Sequence, residues 1–187
     1  MRAGQLVVAT PSLTDPSFAR TVVLLLQAGP EDGALGLVLN RPTGTDVAEV
    51  LADWAPLAAE PAIVFTGGPV AATSAICLGR GRLRRAPVAA YAELEGLPGG
   101  SVGTVDLDGR PAELATVVEH VRLFAGYAGW SPGQLEAEVD EGAWFVLDAL
   151  PGDAFDPEPE RLWERVLLRQ GPPVAFVASY PADPTLN

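Results

Sequence analysis

The order in which strand and helix patterns follow one another is the feature that most limits how this chain can fold. Strand patterns dominate its first part, and helix patterns become frequent only later. A doubly wound parallel sheet needs regular alternation of strands and helices, whereas an α+β domain keeps them largely apart. The length of 187 residues also fits one domain. The sequence therefore predicts a single α+β domain over residues 1–187.

A hairpin is predicted over residues 20–40. Residues 20–27 contain the continuous apolar run 22–26, which begins with the β-branched pair Val22 and Val23, and this favours a strand buried on both faces. A turn over residues 29–33 leads to a partner strand over residues 34–40. The other predicted strands are residues 5–10, 62–66, 73–78, 101–107, 143–148 and 174–179.

Residues 111–124 carry the strongest helix pattern. Their apolar side chains recur at the spacing of one helical face, and those positions are Leu114, Val117, Val118, Val121 and Phe124. In such a helix His120 lies near the edge of the apolar face. A structural histidine is then a better interpretation than a catalytic base.

Capping patterns predict three shorter helices. Asp46 and Glu49 have the spacing of an N-cap and its N3 carboxylate, for a helix reaching residue 54. Ser131 and Gln134 have the same spacing, for a helix ending near residue 140. Asp156 opens the last helix. Its buried side is predicted to be Leu162, Trp163, Val166 and Leu167.

Charge and hydropathy set limits on partners. The net charge of −12 opposes nucleic-acid binding. A local basic patch is formed by Arg80, Arg82, Arg84 and Arg85, but a solvated loop explains it better.

The longest apolar run, residues 21–26, is far shorter than the ~20 residues of a membrane span. No signal-peptide pattern precedes it, so we expect a cytoplasmic protein without membrane contact.

Metal and nucleophile chemistry have few candidates. One histidine and one cysteine cannot supply the four ligands of a structural zinc site, so no metal or cofactor is predicted; carboxylates leave a magnesium or calcium site open. Cys77 lies in an apolar strand and is predicted to be inert. The alternative is a reactive Cys77 thiolate, for which Arg80 or Arg82 would supply the electropositive neighbourhood that it requires. Glu136 and Asp140 share a helical face that is typical of a solvated surface.

The G-x-S-x-G pattern at residues 99–103 is rejected as a hydrolase motif. That motif requires a sharp turn from a strand into a helix, followed by an acid and a histidine. Here a loop precedes Ser101 and a predicted strand follows it.

Residues 126–130 combine two glycines with Tyr127 and Trp130. A helix C-cap whose aromatic rings fill the core is the favoured interpretation, and an aromatic-walled ligand pocket is the alternative. In the first case the Trp130 ring packs on Leu135, one turn into the next helix.

Taken together, the chain resembles the AlgH/YqgE family of bacterial proteins. The resemblance rests on residues 5–11, 15–22, 33–42, 65–70 and 126–144, and on the closing residues 183–187, where Thr185 stands in place of an expected serine. Residues 80–100 have no clear counterpart. The resemblance implies a bifurcated, mostly antiparallel sheet curled into a pseudo-barrel and flanked by about four helices. It implies no catalytic residues, and the family name reflects a proposed role in transcriptional regulation.

The leading hypothesis is a non-enzymatic binding or regulatory protein that acts through a protein or small-molecule partner. Its candidate ligand-binding residues are Asn40, Arg41, Pro42, Gly67, Gly68, Pro69, Tyr127, Gly129 and Trp130. One alternative is an enzyme that uses carboxylates, Arg41 or Cys77. Another is a regulator that binds DNA directly through the basic patch. Convergence of the three glycine- and proline-bearing motifs on one pocket would favour the leading hypothesis.

Overall fold

The computed structural model describes residues 1–82, 88–97 and 101–181. The strands are β1 Gln5–Ala9, β2 Val22–Gly29, β3 Gly33–Val38, β4 Pro42–Asp46, β5 Ile63–Thr66, β6 Val70–Gly81, β7 Tyr91–Glu93, β8 Val102–Val105, β9 Val118–Trp130 and β10 Trp144–Asp148. The α-helices are α1 Val47–Val50, α2 Pro111–Leu114, α3 Gln134–Asp140, α4 Leu162–Leu168 and α5 Val174–Val177. The described 3₁₀ turns are Ala52–Leu57, Asp153–Phe155 and Pro159–Arg161.

Strand β9 divides the sheet into two branches. The main path runs β10-β1-β2-β3-β9-β6-β8-β7, and β5 pairs with β9 while β4 pairs with β5. The carboxyl-terminal end of β9 pairs with β3, whereas Phe124 and Ala125 earlier in the strand pair with β5. The β5–β9 pair is parallel and the other named pairs are antiparallel. The predicted α+β fold with a bifurcated, curled sheet is confirmed, and the sheet forms a half-barrel.

The predicted hairpin at residues 20–40 is present as β2 and β3, which pair from Val23 with Val38 to Gly29 with Gly33. The predicted helix at residues 111–124 is wrong beyond its first turn: α2 ends at Leu114, and β9 begins at Val118. Over residues 121–128 both faces of β9 are buried or half-buried, so the apolar residues there form a nearly continuous run. Within such a run some residues inevitably fall at helical spacing. His120 lies near the start of this strand, where it is exposed and pairs opposite Arg80.

The predicted strand at residues 174–179 is also wrong, because this segment contains helix α5. A short apolar run does not distinguish a strand from a helical turn by periodicity alone. Here Val174, Val177 and Ala178 pack against the core at helical spacing, while Phe176 is exposed.

The helix predicted from Asp46 to residue 54 is split between α1 and the 3₁₀ turn that follows it. Asp46 takes the N-cap position without a side-chain hydrogen bond. The cap of α3 is Gly133 rather than Ser131, although the Gln134 side chain still accepts a hydrogen bond from the Ser131 backbone N–H at 3.0 Å.

Buried apolar side chains form three groups around the sheet. One group lies between the sheet and α4, a second packs β6, β8 and β9 against α1, α2 and the 3₁₀ turn after α1, and a third packs β1, β2 and β3 against α3. The predicted buried side of α4 is confirmed, since its four residues are at most 3% exposed. No helix in the described residues is long and apolar enough to span a membrane.

Candidate functional site

The Asn40–Arg41–Pro42 motif connects β3 to β4, and its first residue is structural. Asn40 is 5% exposed. Its Oδ1 accepts a hydrogen bond from the Val22 N–H at 2.9 Å, and its Nδ2 donates to the Arg20 carbonyl at 2.9 Å. Both ends of the amide are therefore satisfied by the backbone that enters β2. Asn40 fixes the position of Arg20 relative to Arg41.

Arg20 has an uncommon backbone conformation, and its side chain contacts the carboxyl-terminal segment. Its φ of 56° lies in the left-handed region, which is unusual for a residue other than glycine. The guanidinium lies 4.2 Å from the centre of the Trp163 ring and donates to the Tyr180 carbonyl at 2.8 Å. The Trp163 indole N–H in turn donates to the Ala9 carbonyl at 2.8 Å. The side chain is thus oriented by β1, α4 and the segment after α5.

Arg41 lies beside Arg20 on the cavity wall, and its Nη2 donates to the Ala19 carbonyl at 2.6 Å. A guanidinium has five N–H donors, and the described hydrogen bonds use one donor in each of these arginines. Within the described part of the chain, neither has a carboxylate partner. The described arginines that form ion pairs with acidic side chains include Arg2, Arg80, Arg110, Arg161, Arg165 and Arg169.

Two adjoining cavities share Arg20, Arg41 and Trp163, and together they are called the arginine cleft here. The first has a volume of about 570 Å³, and its other lining residues are Asn40, Pro42, Glu160, Glu164 and Ala178. The second has a volume of about 710 Å³, and its other lining residues are Thr10, Pro11, Ser12, Leu13, Thr14, Ala19, Tyr180 and Pro181. Each volume is in the range of small-molecule sites.

Two of the three predicted motifs meet beside this cleft. A further cavity of about 300 Å³ is lined by Arg41 and Pro42 from the first motif and by Gly68 and Pro69 from the second. Gly67 and Gly68 themselves allow close backbone packing. A Cβ atom at Gly67 would lie 2.2 Å from the Gly126 carbonyl oxygen, and one at Gly68 would lie 2.2 Å from the Tyr127 carbonyl carbon. The glycines therefore shape the fold, and Pro69 borders the site.

The third motif, residues 126–130, forms the end of strand β9, so the helix C-cap predicted there is wrong, whereas the Trp130 ring does fill the core. Trp130 is 6% exposed and packs with Phe18 and Trp144, at ring-centre distances of 6.0 and 5.9 Å. The indole N–H groups of Trp130 and Trp144 both donate to Oε2 of Glu138, at 3.0 and 2.8 Å. Leu135 belongs to the same buried group.

The other two residues of that motif are also outside the arginine cleft. Tyr127 is half-buried against the group of apolar side chains beneath α4, and Gly129 is exposed. The structure thus brings Arg41 and Pro42 together with Gly68 and Pro69 around one cavity. The Tyr127 backbone packs against Gly68, but Tyr127, Gly129 and Trp130 do not line that cavity or the arginine cleft.

The sites of the alternative hypotheses are less suited to chemistry. Cys77 is 2% exposed, and burial raises the pKa of its thiol to about 12. The protonated thiol is a poor nucleophile at neutral pH. Arg80 forms an ion pair with Glu119 at 3.6 Å, and Arg82 donates to the Ala115 carbonyl at 3.2 Å. Arg84 and Arg85 lie outside the described residues.

The remaining patterns do not add a catalytic group. Ser101 directly precedes β8, as the rejection of the hydrolase motif required, and residues 99–100 lie outside the described ranges. Glu136 and Asp140 are exposed on α3. Among residues 1–82, 88–97 and 101–181, no three histidine, cysteine or acidic side chains are grouped closely enough to hold a metal ion.

The sequence did not single out Arg20, Trp163 or Tyr180 as site residues. Arg20 opens a predicted strand and Trp163 lies on a predicted buried helix face, so each had a sufficient structural explanation. The hydrogen bond from Arg20 to Tyr180 spans 160 residues of chain, and a contact at that separation has no local sequence signal.

The fold and the cleft define an α+β protein whose half-barrel sheet and carboxyl-terminal helices enclose an arginine-lined cavity. Residues 6–175 match the family model described as AlgH-like. The chain belongs to this AlgH-like family, which confirms the resemblance found in its sequence.

Relatives match over nearly the whole chain. The chain is 52% identical to a UPF0301 protein of Streptomyces coelicolor, over 98% of this chain and 94% of that protein. It is 43% identical to a UPF0301 protein of Mycobacterium tuberculosis, over 100% and 91%. The crystal structure of a Corynebacterium diphtheriae protein is similar with a TM-score of 0.89 at 31% identity, over 96% and 93% of the two chains. The solution structure of the AlgH protein from Pseudomonas aeruginosa is similar with a TM-score of 0.68 at 32% identity, over 95% and 93%.

Proposed function

We propose that this chain is a non-enzymatic binding protein that recognises a partner or small molecule through an anionic group held by Arg41 in the arginine cleft. The observation that carries the proposal is the pair formed by Arg20 and Arg41. Both guanidiniums line the same two cavities, and neither has a carboxylate partner among the described residues.

The composition of the chain makes this pair more informative. Acidic residues number 24 and basic residues number 12, so potential partners for an arginine are plentiful. A guanidinium without such a partner keeps its planar set of donors for a carboxylate or phosphate from outside, which it binds through two parallel hydrogen bonds. The walls of a cavity also limit the water that competes for those donors.

Binding is favoured over nucleophilic catalysis by the state of the hydroxyl groups in the cleft. The Thr10 hydroxyl is 2.8 Å from the Gly142 carbonyl oxygen, and the Ser12 hydroxyl is 2.7 Å from the Thr10 hydroxyl and 3.3 Å from the same carbonyl, so the two hydroxyl protons are shared among these three contacts. A hydroxyl nucleophile requires an adjacent general base. The sole histidine, His120, is on β9 opposite Arg80 instead. These hydroxyls hold the loop after β1 to the loop before β10.

A regulatory role would be exerted through the bound partner, in the cytoplasm, and not by direct contact with DNA. The net charge of −12 repels phosphate chains. Arg80 is paired with Glu119, which offsets part of the positive charge of the predicted basic patch, and Arg82 donates to a backbone carbonyl.

The test measures anion binding at constant ionic strength, with inorganic phosphate and citrate as probes and sodium chloride as the compensating salt. We expect either probe to raise the melting temperature of the wild-type protein, because a ligand that binds the folded state stabilises it. Arg41→Ala should lose the response. Arg41→Lys should retain part of it, since the charge remains without the planar donor geometry.

The matched control is Arg110→Ala. Arg110 is an exposed arginine whose ion pair with Glu113 lies on α2, away from the cleft, and its variant should respond like the wild type. Absence of any response in the wild type, or an unchanged response in Arg41→Ala, would overturn the proposal.

A further inference from the structure

Two carboxylate side chains also line the arginine cleft, and one of them has no ion-pair partner among the described residues. Glu160 and Glu164 line the same cavity as Arg20 and Arg41. Within the described ranges, Glu160 has no ion-pair partner, and the contact of Glu164 is with Arg161 at 3.9 Å, outside this set. Guanidinium and carboxylate groups thus share one cavity without pairing with each other.

The two arginines are held by contacts with other groups than these glutamates. Arg20 is fixed on the Trp163 ring and the Tyr180 carbonyl, and Arg41 on the Ala19 carbonyl. Glu160 belongs to the 3₁₀ turn that precedes α4, and Glu164 lies in the first turn of that helix. A cavity wall that carries both charges, with no described ion pair between these arginines and glutamates, is complementary to a ligand that also has both charges.

We infer that the ligand of the arginine cleft is a small zwitterion of the amino-acid or short-peptide type, with its carboxylate on Arg41 and its ammonium on Glu160. Each end would form charge-assisted hydrogen bonds, which are stronger than bonds between neutral groups. The cavity of about 570 Å³ suits a ligand of this size.

The second cavity of the arginine cleft indicates the chemical character of the ligand's side chain. It is lined by the apolar surfaces of Pro11, Leu13 and Tyr180. An apolar side chain placed there removes its surface from water, which contributes roughly 25 cal/mol per Å². The preferred class is therefore a zwitterion with an apolar side chain. This inference rests on the proposed function, because the carboxylate is the anionic group that Arg41 would hold.

The experiment compares three probes by isothermal titration calorimetry: leucyl-leucine, its N-acetyl form and its carboxyl-terminal amide. The free dipeptide should bind most tightly, and blocking either terminus should weaken binding by about tenfold or more, since each block removes one charged contact. Glu160→Gln should weaken the free dipeptide by a similar factor without changing the affinity for the N-acetyl form. Arg41→Gln should weaken both.

Glu113→Gln is the matched control, because Glu113 is an exposed carboxylate on α2 that belongs to another ion pair; its affinities should equal those of the wild type. Glu164→Gln serves as a second variant if Glu160→Gln is unstable. Equal affinity for the free and N-acetyl dipeptides, or binding of citrate without binding of the dipeptide, would overturn the zwitterion and leave the proposed anion site standing. Failure of all of these probes, including phosphate and citrate, would overturn both.

Discussion

The aromatic cluster and the arginine cleft use their polar groups in opposite ways. In the aromatic cluster, formed by Phe18, Trp130 and Trp144, both indole N–H groups donate to one carboxylate oxygen of Glu138. The other carboxylate oxygen accepts from the Gln134 side chain at 2.9 Å. In the arginine cleft the guanidinium groups line open cavities, and one donor of each is used by the protein.

The two regions are neighbours along the chain. Phe18 packs in the aromatic cluster, and Arg20, two residues later, lines the arginine cleft. The segment that joins them therefore links a region that stabilises the fold to a region that is available for binding. Polar groups that satisfy one another mark the first kind of region, and polar groups kept apart in a cavity mark the second.

Trp130→Ala provides the largest expected effect. The ring is 6% exposed and contacts two other aromatic rings, so its removal should reduce the free energy of unfolding by about 3–5 kcal/mol. Denaturant unfolding measures this loss. Tyr180→Ala is the matched control, because its exposed ring borders the cleft and should cost less than about 1 kcal/mol. A loss below about 1 kcal/mol for Trp130→Ala, at unchanged m-value, would mean that the cluster does not stabilise the fold.

Glu138→Ala should come next, at about 2 kcal/mol, because it leaves two indole N–H groups without their acceptor. Glu138→Gln should cost less, since the amide retains an acceptor oxygen. Glu136 lies exposed on the same helix, and Glu136→Ala should change stability by less than about 0.5 kcal/mol. Equal losses for Glu136→Ala and Glu138→Ala would show that the shared acceptor is unimportant.

Cys77 extends the comparison to a polar atom buried in apolar surroundings. Burial raises the pKa of its thiol from 9.0 to about 12, so above pH 9 the unfolded chain ionises first. The stability that the buried, protonated thiol contributes is complete below pH 9 and is lost as pH rises from 9 towards 12; by pH 10 the loss is on the order of 1 kcal/mol. Unfolding curves at pH 8 and pH 10 should therefore show a larger decrease for the wild type than for Cys77→Ala. Parallel decreases would contradict the burial of a protonated thiol.

Local patterns were sufficient for parts of this fold and insufficient for others. The hairpin at residues 20–40 was predictable because its strands and turn are continuous in sequence. Strand β9 was not, because burial of both faces removes the alternation that identifies a strand. For helix α5, four residues are too few to show a period.

The site was predictable only where a motif supplied it. Arg41 and Pro42 were identified within a motif and do line cavities. Arg20 meets Trp163 and Tyr180 through contacts that span more than 100 residues of the chain. The aromatic motif was informative about stability, since Trp130 is satisfied inside the core.

Arg41→Ala should have the smallest effect on stability and the clearest effect on binding. The side chain forms one described hydrogen bond, to the Ala19 carbonyl, so its loss should cost about 1 kcal/mol or less. Affinity for citrate should fall about tenfold or more, which corresponds to the loss of one charge-assisted contact.

Arg122→Met is the matched contrast. That arginine is 2% exposed and donates to the carbonyls of Ala154, Asp156 and Glu60, so its removal should cost roughly 2–3 kcal/mol and leave citrate affinity unchanged. If Arg41→Ala destabilised the protein as much as Arg122→Met while citrate affinity was retained, Arg41 would belong to the fold, and the arginine cleft would lose the residue that defines it.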